Sequence, residues 1–192
     1  MKSQRAELVA DTAIALLADR GMRGLTHRAV DEAAGLPPGS TSNLARTRSA
    51  LLELTLARLT QLESAAFAPV LGAPGPDLVE DLVEMTAQAL WLQLTAGRRQ
   101  TIARYELAFE ATRRPELRTI YDRAGERFRD LAVTILSAVG SSDPVRHGRQ
   151  FVAFGEGVMF DAVIGAGAEP TLDDLRLGAR ELLRGMLGGA DR

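Results

Sequence analysis

Residues 24–52 read GLTHRAVDEAAGLPPGSTSNLARTRSALL. Thr26 is suited to cap a short helix running to about Ala34, because its hydroxyl can accept a hydrogen bond from a first-turn N–H. Val30, Ala33 and Ala34 are small or branched apolar residues able to pack on a following helix. Gly35 can adopt the left-handed conformation that joins two helices tightly, and Leu36 can plug the core beneath the turn. A second short helix follows from about Gly39 to Leu44. It opens with Pro38, Gly39, Ser40, Thr41, Ser42 and Asn43, all of which would let a backbone approach base edges closely. Arg46 and Arg48 come next, where guanidinium groups could hold phosphates. Two short helices across a glycine turn make a helix-turn-helix pattern; the same pattern also describes an ordinary helical hairpin.

Outward from this stretch nearly every segment has helical period and none alternates as a strand. Upstream, Ala10, Ala13, Ile14 and Leu17 share one helix face, with Ser3 as the expected N-cap and Gly21 as the stop. Downstream, Leu52, Leu56, Leu59 and Leu62 mark a helix over about 48–67. Residues 69–76 hold three prolines and two glycines and read as a linker. Asp77 with Glu80 forms a capping pair for a helix striped by Leu78, Leu82, Met85, Ala89 and Leu92. Further helices are marked by Ile102, Tyr105 and Phe109, by the run from Leu117 to Ile135, by a stretch from Pro144 to about Ile164, and by a last one capped at Thr171. The expected fold is all-α: about nine helices, with a helix-turn-helix domain over 1–48, a connecting helix, the linker, and a helical domain over 77–192.

Composition bounds the chemistry. The 192 residues include no cysteine and two histidines, too few for a zinc or iron–sulfur site of the Cys/His type. Neither a disulfide scaffold nor a cysteine nucleophile is possible. There is no Gly-rich phosphate loop with its Lys-Ser/Thr and no paired-His metal motif, so enzyme readings fare poorly, and no metal or cofactor is implied. Of the 23 basic residues only Lys2 is a lysine. The net charge of −2 hides an asymmetry: residues 1–60 carry eight basic and six acidic side chains, the rest 15 and 19. A basic head on an acidic body suits contact with a polyanion at one end. Phe151 to Ala168, the most apolar segment, is interrupted by Glu156 and Asp161 and is too short and polar for a membrane span. A soluble cytoplasmic protein with no membrane partner is the expectation.

The opening helix ending at Gly21, then Gly24-Leu25-Thr26, Val30, Ala33-Ala34-Gly35-Leu36, Gly39-Ser40-Thr41, Arg46-Thr47-Arg48 and Leu51-Leu52 together resemble the N-terminal module of the TetR family of bacterial transcriptional regulators. The likeness covers about residues 4–62; beyond it, only length and helix number agree. It implies a dimeric repressor in which three helices bind a double-stranded DNA operator, the fourth connects, and the remainder bind a small-molecule effector and dimerise. Carried onto this chain, Thr26 is a cap and phosphate contact, Ser40, Thr41 and Asn43 fall on the recognition helix, and Arg46 and Arg48 are the basic positions after it. The chain departs from the family pattern at Leu44 and Ala45, where an aromatic pair is usual, and at Asp31, where small residues are common. That leaves an alternative: a helical small-molecule-binding or interaction protein with a weakened DNA-binding head.

Other positions carry two readings each. His27 and Arg28 sit on the first turn of the first short helix, as phosphate contacts or solvated surface. Lys2 and Arg5 either reach DNA or belong to a frayed end. Trp91, Tyr105, Phe109, Phe128 and Phe154 either line an apolar effector pocket or fill core, and Glu106 either orients a ligand or faces solvent. Gly155, Gly157 and Ala162 would allow close helix approach, or the glycines mark ligand clearance or a bend. The stripe Leu175, Ala179, Leu182 and Met186 is expected to face a symmetry mate in a homodimer. His147 has no evident partner in the sequence.

Overall fold

The structure is a computed structural model that describes residues 2–67 and 77–188. Among these residues it is entirely helical: α1 (Lys2–Gly24), α2 (His27–Ala33), α3 (Ser40–Leu44), α4 (Arg48–Phe67), α5 (Leu78–Leu94), α6 (Arg98–Ala111), α7 (Pro115–Ala138), α8 (Pro144–Val163) and α9 (Leu172–Leu187). The expected all-α architecture is the one observed. The Pro/Gly stretch read as a linker, 69–76, lies outside the described residues. No described helix is long and apolar enough to cross a membrane.

Contacts group the chain into two compact units. One gathers the described residues up to Ser64 and residues 98–124; the other gathers the described residues from Ala65 to Gly97 and from Gly125 onward. In the first, α1 packs on α2 and on α6, and α2 packs on α3. Its core joins Val9, Ala13, Ile14 and Leu17 of α1 to Leu25, Val30, Leu51, Leu52, Leu56 and Leu59, and to Ala103, Leu107 and Leu117. In the second, α5 packs on α8 and α9, and its core joins Leu82 and Val83 to Leu136, Ala179 and Leu183.

Local chemistry sets the ends. α1 begins at Lys2, ahead of the Ser3 expected to cap it, and its backbone breaks at Gly21 (φ 62°, ψ −172°). Thr26 caps α2 as expected, accepting from the Ala29 N–H at 3.0 Å. α2 then closes in a Schellman turn: the Leu36 N–H donates to the Asp31 carbonyl at 2.9 Å and the Gly35 N–H to Glu32. Gly35 is left-handed there (φ 64°), a conformation that costs a side-chain-bearing residue and not a glycine. Asp77 caps α5 through the Val79 and Glu80 N–H groups, while the Glu80 side chain turns away to Arg180. Asp143 caps α8 with Pro144 in its first turn, and Thr171 forms a reciprocal capping box with Asp174 on α9.

The apolar stripe of α9 turns inward. Leu175, Ala179 and Met186 are buried within their own unit, and Leu182 is half-buried. The stripe expected to meet a symmetry mate is therefore spent largely on the protomer's own core, because α9 has α5 beside it to cover. Leu177, on the other side of the helix, is 54% exposed. Above the core, Arg176 binds Glu84 through two hydrogen bonds of 2.7 and 2.8 Å, and Arg180 pairs with Glu80.

Candidate nucleic-acid interface

α3 has five residues, too few to be stable alone. Gly39 precedes it with φ 87°, so the chain enters the helix through a left-handed residue. Ser40 and Thr41 are buried; Ser42, Asn43 and Leu44 are exposed. The two hydroxyl residues placed on a base-reading surface by the sequence therefore divide from Asn43. Ser40 Oγ donates to the Pro37 carbonyl at 2.7 Å. Thr41, wholly buried, donates from Oγ1 to Asp31 Oδ1 at 2.6 Å. Both side chains thus bond within the protein. With so short a helix and no apolar stripe, the sequence could not say which face turns inward.

Asp31 is 4% exposed and takes three donors: Thr41 Oγ1, the Thr41 N–H at 2.8 Å, and the Gly39 N–H at 2.8 Å on its other oxygen. Burial pushes its carboxyl up, but the bonds from Thr41 and Gly39 outweigh this and hold it below the usual carboxylate range. Its departure from the family pattern was visible in the sequence; its partners were not.

His27 is half-buried, and its Nε2 lies 2.7 Å from the Ala45 carbonyl. A carbonyl only accepts, so Nε2 carries the proton. The ring ties the start of α2 to the end of α3. Ala45 itself is buried, with only a methyl group to anchor that end.

Arg48 is likewise structural. Its Nη1 donates to the Leu25 carbonyl at 2.6 Å and its Nη2 to the Met22 carbonyl at 2.7 Å. The Met22 N–H in turn donates to Glu106 Oε2 of α6 at 2.9 Å. The peptide chain just after the α1 break is thus held from two sides. Arg48 clamps the α1–α2 connection, and Glu106 caps it from α6. Arg46, by contrast, is exposed.

The outward residues of this head include Thr26, Arg28, Glu32, Pro38, Gly39, Ser42, Asn43, Leu44, Arg46 and Thr47. Arg28 pairs with Glu32 at 2.7 Å, both well exposed. Thr47 accepts from the Ala50 N–H at 3.1 Å and finishes the entry to α4. Arg5 is exposed as well; the Lys2 side chain lies outside the described residues. The head offers N–H, hydroxyl, amide and guanidinium donors, the groups that meet phosphates and base edges.

The residues expected to line an effector pocket divide between the units. Tyr105, Glu106 and Phe109 belong to the first, where Tyr105 is buried and Phe109 is 51% exposed. Trp91, Phe128 and Phe154 belong to the second and are half-buried. The Phe154 ring lies over Gly178 of α9, 3.1 Å from where a Cβ would stand, so it packs helix on helix. Gly155 meets Leu90, Ala162 is half-buried, and Gly157 is open. His147 is buried after all, between Ser141 Oγ at 2.7 Å and Arg146 Nη2 at 2.8 Å.

Comparison with known proteins agrees with this arrangement. Residues 77–189 match the family model "Tetracyclin repressor-like, C-terminal domain". A transcriptional regulator from Rhodococcus sp. Rha1 superposes with a TM-score of 0.84 at 22% identity, over 97% of this chain and 98% of that one. A TetR family member from Streptomyces coelicolor A3 gives 0.74 at 26% identity, over 96% and 98%. The multidrug binding protein EbrR, complexed with ethidium, gives 0.73 at 27% identity, over 95% and 98%. No curated protein matches the chain in sequence. With the family model spanning more than half of its length and a helix-turn-helix head at its N-terminus, the chain belongs to the TetR family of transcriptional regulators.

Proposed function

We propose that this chain is a homodimeric repressor that holds a palindromic operator and releases it when a small molecule binds among its C-terminal helices. The observation that carries the DNA-binding half is the outward set on and around α3: Ser42, Asn43 and Arg46 exposed beside Gly39, with no bulky ring before them. Asn43 reads base edges, a role its amide suits through paired donor and acceptor groups. Arg46 and Thr26 hold phosphates and fix register.

For the dimer, α8 supplies an exposed face of Ala153, Gly157, Phe160 and Ile164, spaced by four, three and four residues. Leu177 of α9 is exposed too. An apolar surface of this kind on a regulator suits a two-fold partner, which would set two heads about one DNA turn or a multiple apart. For the effector, the half-buried rings Trp91 and Phe128 favour a flat apolar or cationic molecule. EbrR, a similar protein, was captured with ethidium. An effector releases DNA only by binding one arrangement of the dimer better than the other.

The test is a titration of the protein against DNA from upstream of its own gene and against unrelated DNA, at several salt concentrations, with and without ethidium. Preference for the upstream fragment, a steep salt slope and release by ethidium support the reading. Equal, weak binding to every DNA would favour the alternative of a binding protein with an inactive head. Light scattering at micromolar concentration tests the dimer; a monomer counts against it.

A further inference from the structure

The recognition helix is held in an unusual way for so short an element. Its buried residues, Ser40 and Thr41, are both polar, and its far end is anchored by the methyl of Ala45. α3 itself therefore buries no apolar residue. What α2 offers instead is a carboxylate and an imidazole four residues apart, on one face of the helix. Asp31 receives Gly39 N–H, Thr41 N–H and Thr41 Oγ1 at the start of α3. His27 donates to the carbonyl of Ala45 just past its end. Hydrogen bonds fix direction as well as distance, whereas apolar contact tolerates sliding.

We propose that Asp31 and His27 form a two-point polar clamp that sets the pose of α3, and that they govern operator affinity and sequence discrimination as positioning residues, without touching DNA. The proposal rests on the DNA-binding reading above and adds to it the residues that aim the reading head. A buried carboxylate beside a DNA-binding surface repels phosphate and is expensive to desolvate. Against that cost stand the three donors it organises, which no apolar residue could hold.

The test uses the full chain and the variants Asp31→Asn, Thr41→Val and His27→Ala, with two readouts. One is amide hydrogen exchange at Gly39, Thr41 and residues 42–45, with α1 and α4 as internal references. The other is affinity for the upstream DNA fragment and for unrelated DNA across salt. Asp31→Asn places an amide NH₂ against the Gly39 or Thr41 donors, so exchange at 39–45 should accelerate while α1 and α4 stay protected. Upstream-fragment affinity should fall about tenfold or more, the loss expected for hydrogen bonds to a buried charge. Affinity for unrelated DNA should fall less, and the salt slope should not change, because no phosphate contact is removed.

Thr41→Val should have a smaller effect of the same kind, since both backbone donors keep their acceptor. His27→Ala should loosen the 43–45 end selectively. Unchanged exchange and unchanged affinity in Asp31→Asn overturn the clamp. So does an equal loss on all DNA with a shallower salt slope in His27→Ala, which would make His27 a phosphate contact. Should Asp31→Asn fail to fold, Thr41→Val and His27→Ala decide the matter on the same readouts. If the wild type prefers no DNA, the DNA-binding reading fails, and exchange at Gly39 and Thr41 in the variants still decides whether the clamp exists.

Discussion

α3 and α9 are held by opposite means. α9 has 16 residues and buries Leu175, Ala179, Leu183 and Met186 against its own unit, with Arg176 and Arg180 bridging to Glu84 and Glu80 near the surface. α3 has five residues, buries two hydroxyl side chains, and hangs from Asp31 and His27. A long helix gathers enough apolar area to be held by burial, which is strong and non-directional. A short one cannot, and its position is fixed by a few bonds of defined geometry. Strength resides in the first arrangement and aim in the second. For the base-reading role proposed for α3, aim matters more than strength.

The sharpest break of this contrast is in α9. Leu183 is fully buried among Leu82, Val83, Leu136 and Ala179, so Leu183→Ala should cost about 2–5 kcal/mol of global stability, read by chemical denaturation. Operator affinity of the remaining folded protein should change little. Next comes Arg48→Ala, which strands the Met22 and Leu25 carbonyls in the partly buried α1–α2 connection. A loss of about 1–3 kcal/mol is expected by thermal or chemical unfolding. Arg46→Ala should do the reverse. It should leave stability unchanged, weaken binding to all DNA, and reduce the magnitude of the salt slope by about one. Equal behaviour of the two arginine variants would sink the division of roles drawn here.

A smaller effect is expected from acid. Arg176, then Gln88, hold the Glu84 carboxyl down at about 2 against a burial contribution of opposite sign. A carboxylate depressed on folding stabilises fully above its unfolded value and loses that contribution as pH falls through its folded value. The loss attributable to this pair should therefore fall between about pH 4.5 and 2. It should be slight, because Glu84 is 45% exposed and solvent screens the pair. Arg176→Ala should flatten that part of the stability–pH curve. Asp31, also depressed, adds acid sensitivity that should appear as accelerated exchange at Gly39 and Thr41 while α9 remains protected.

Much of the head was legible before any coordinates. Thr26 as a cap and Gly35 as the left-handed turn are local facts, decided by residues two or three apart, and they stand where the sequence put them. Ser40, Thr41, His27 and Arg48 each carry a donor suited to DNA. The same donors satisfy protein acceptors, and which partner wins depends on residues up to 26 positions away. The α9 stripe shows the same limit in apolar form. Its periodicity was plain, but an apolar face fits the protomer's own core as well as a second copy.

By itself, the sequence determined the all-α class, the helix-turn-helix and most helix ends, because 3.6-residue periodicity, capping hydroxyls and glycine conformations act over one or two turns. Only the tertiary structure decided which side chains are spent inside. Burial and hydrogen-bond partnership are relations between distant segments, and a donor buried against a carboxylate or carbonyl is no longer available to a phosphate. Arg46 and Asn43 face outward, while Thr41, His27 and Arg48 bond within the head that carries them.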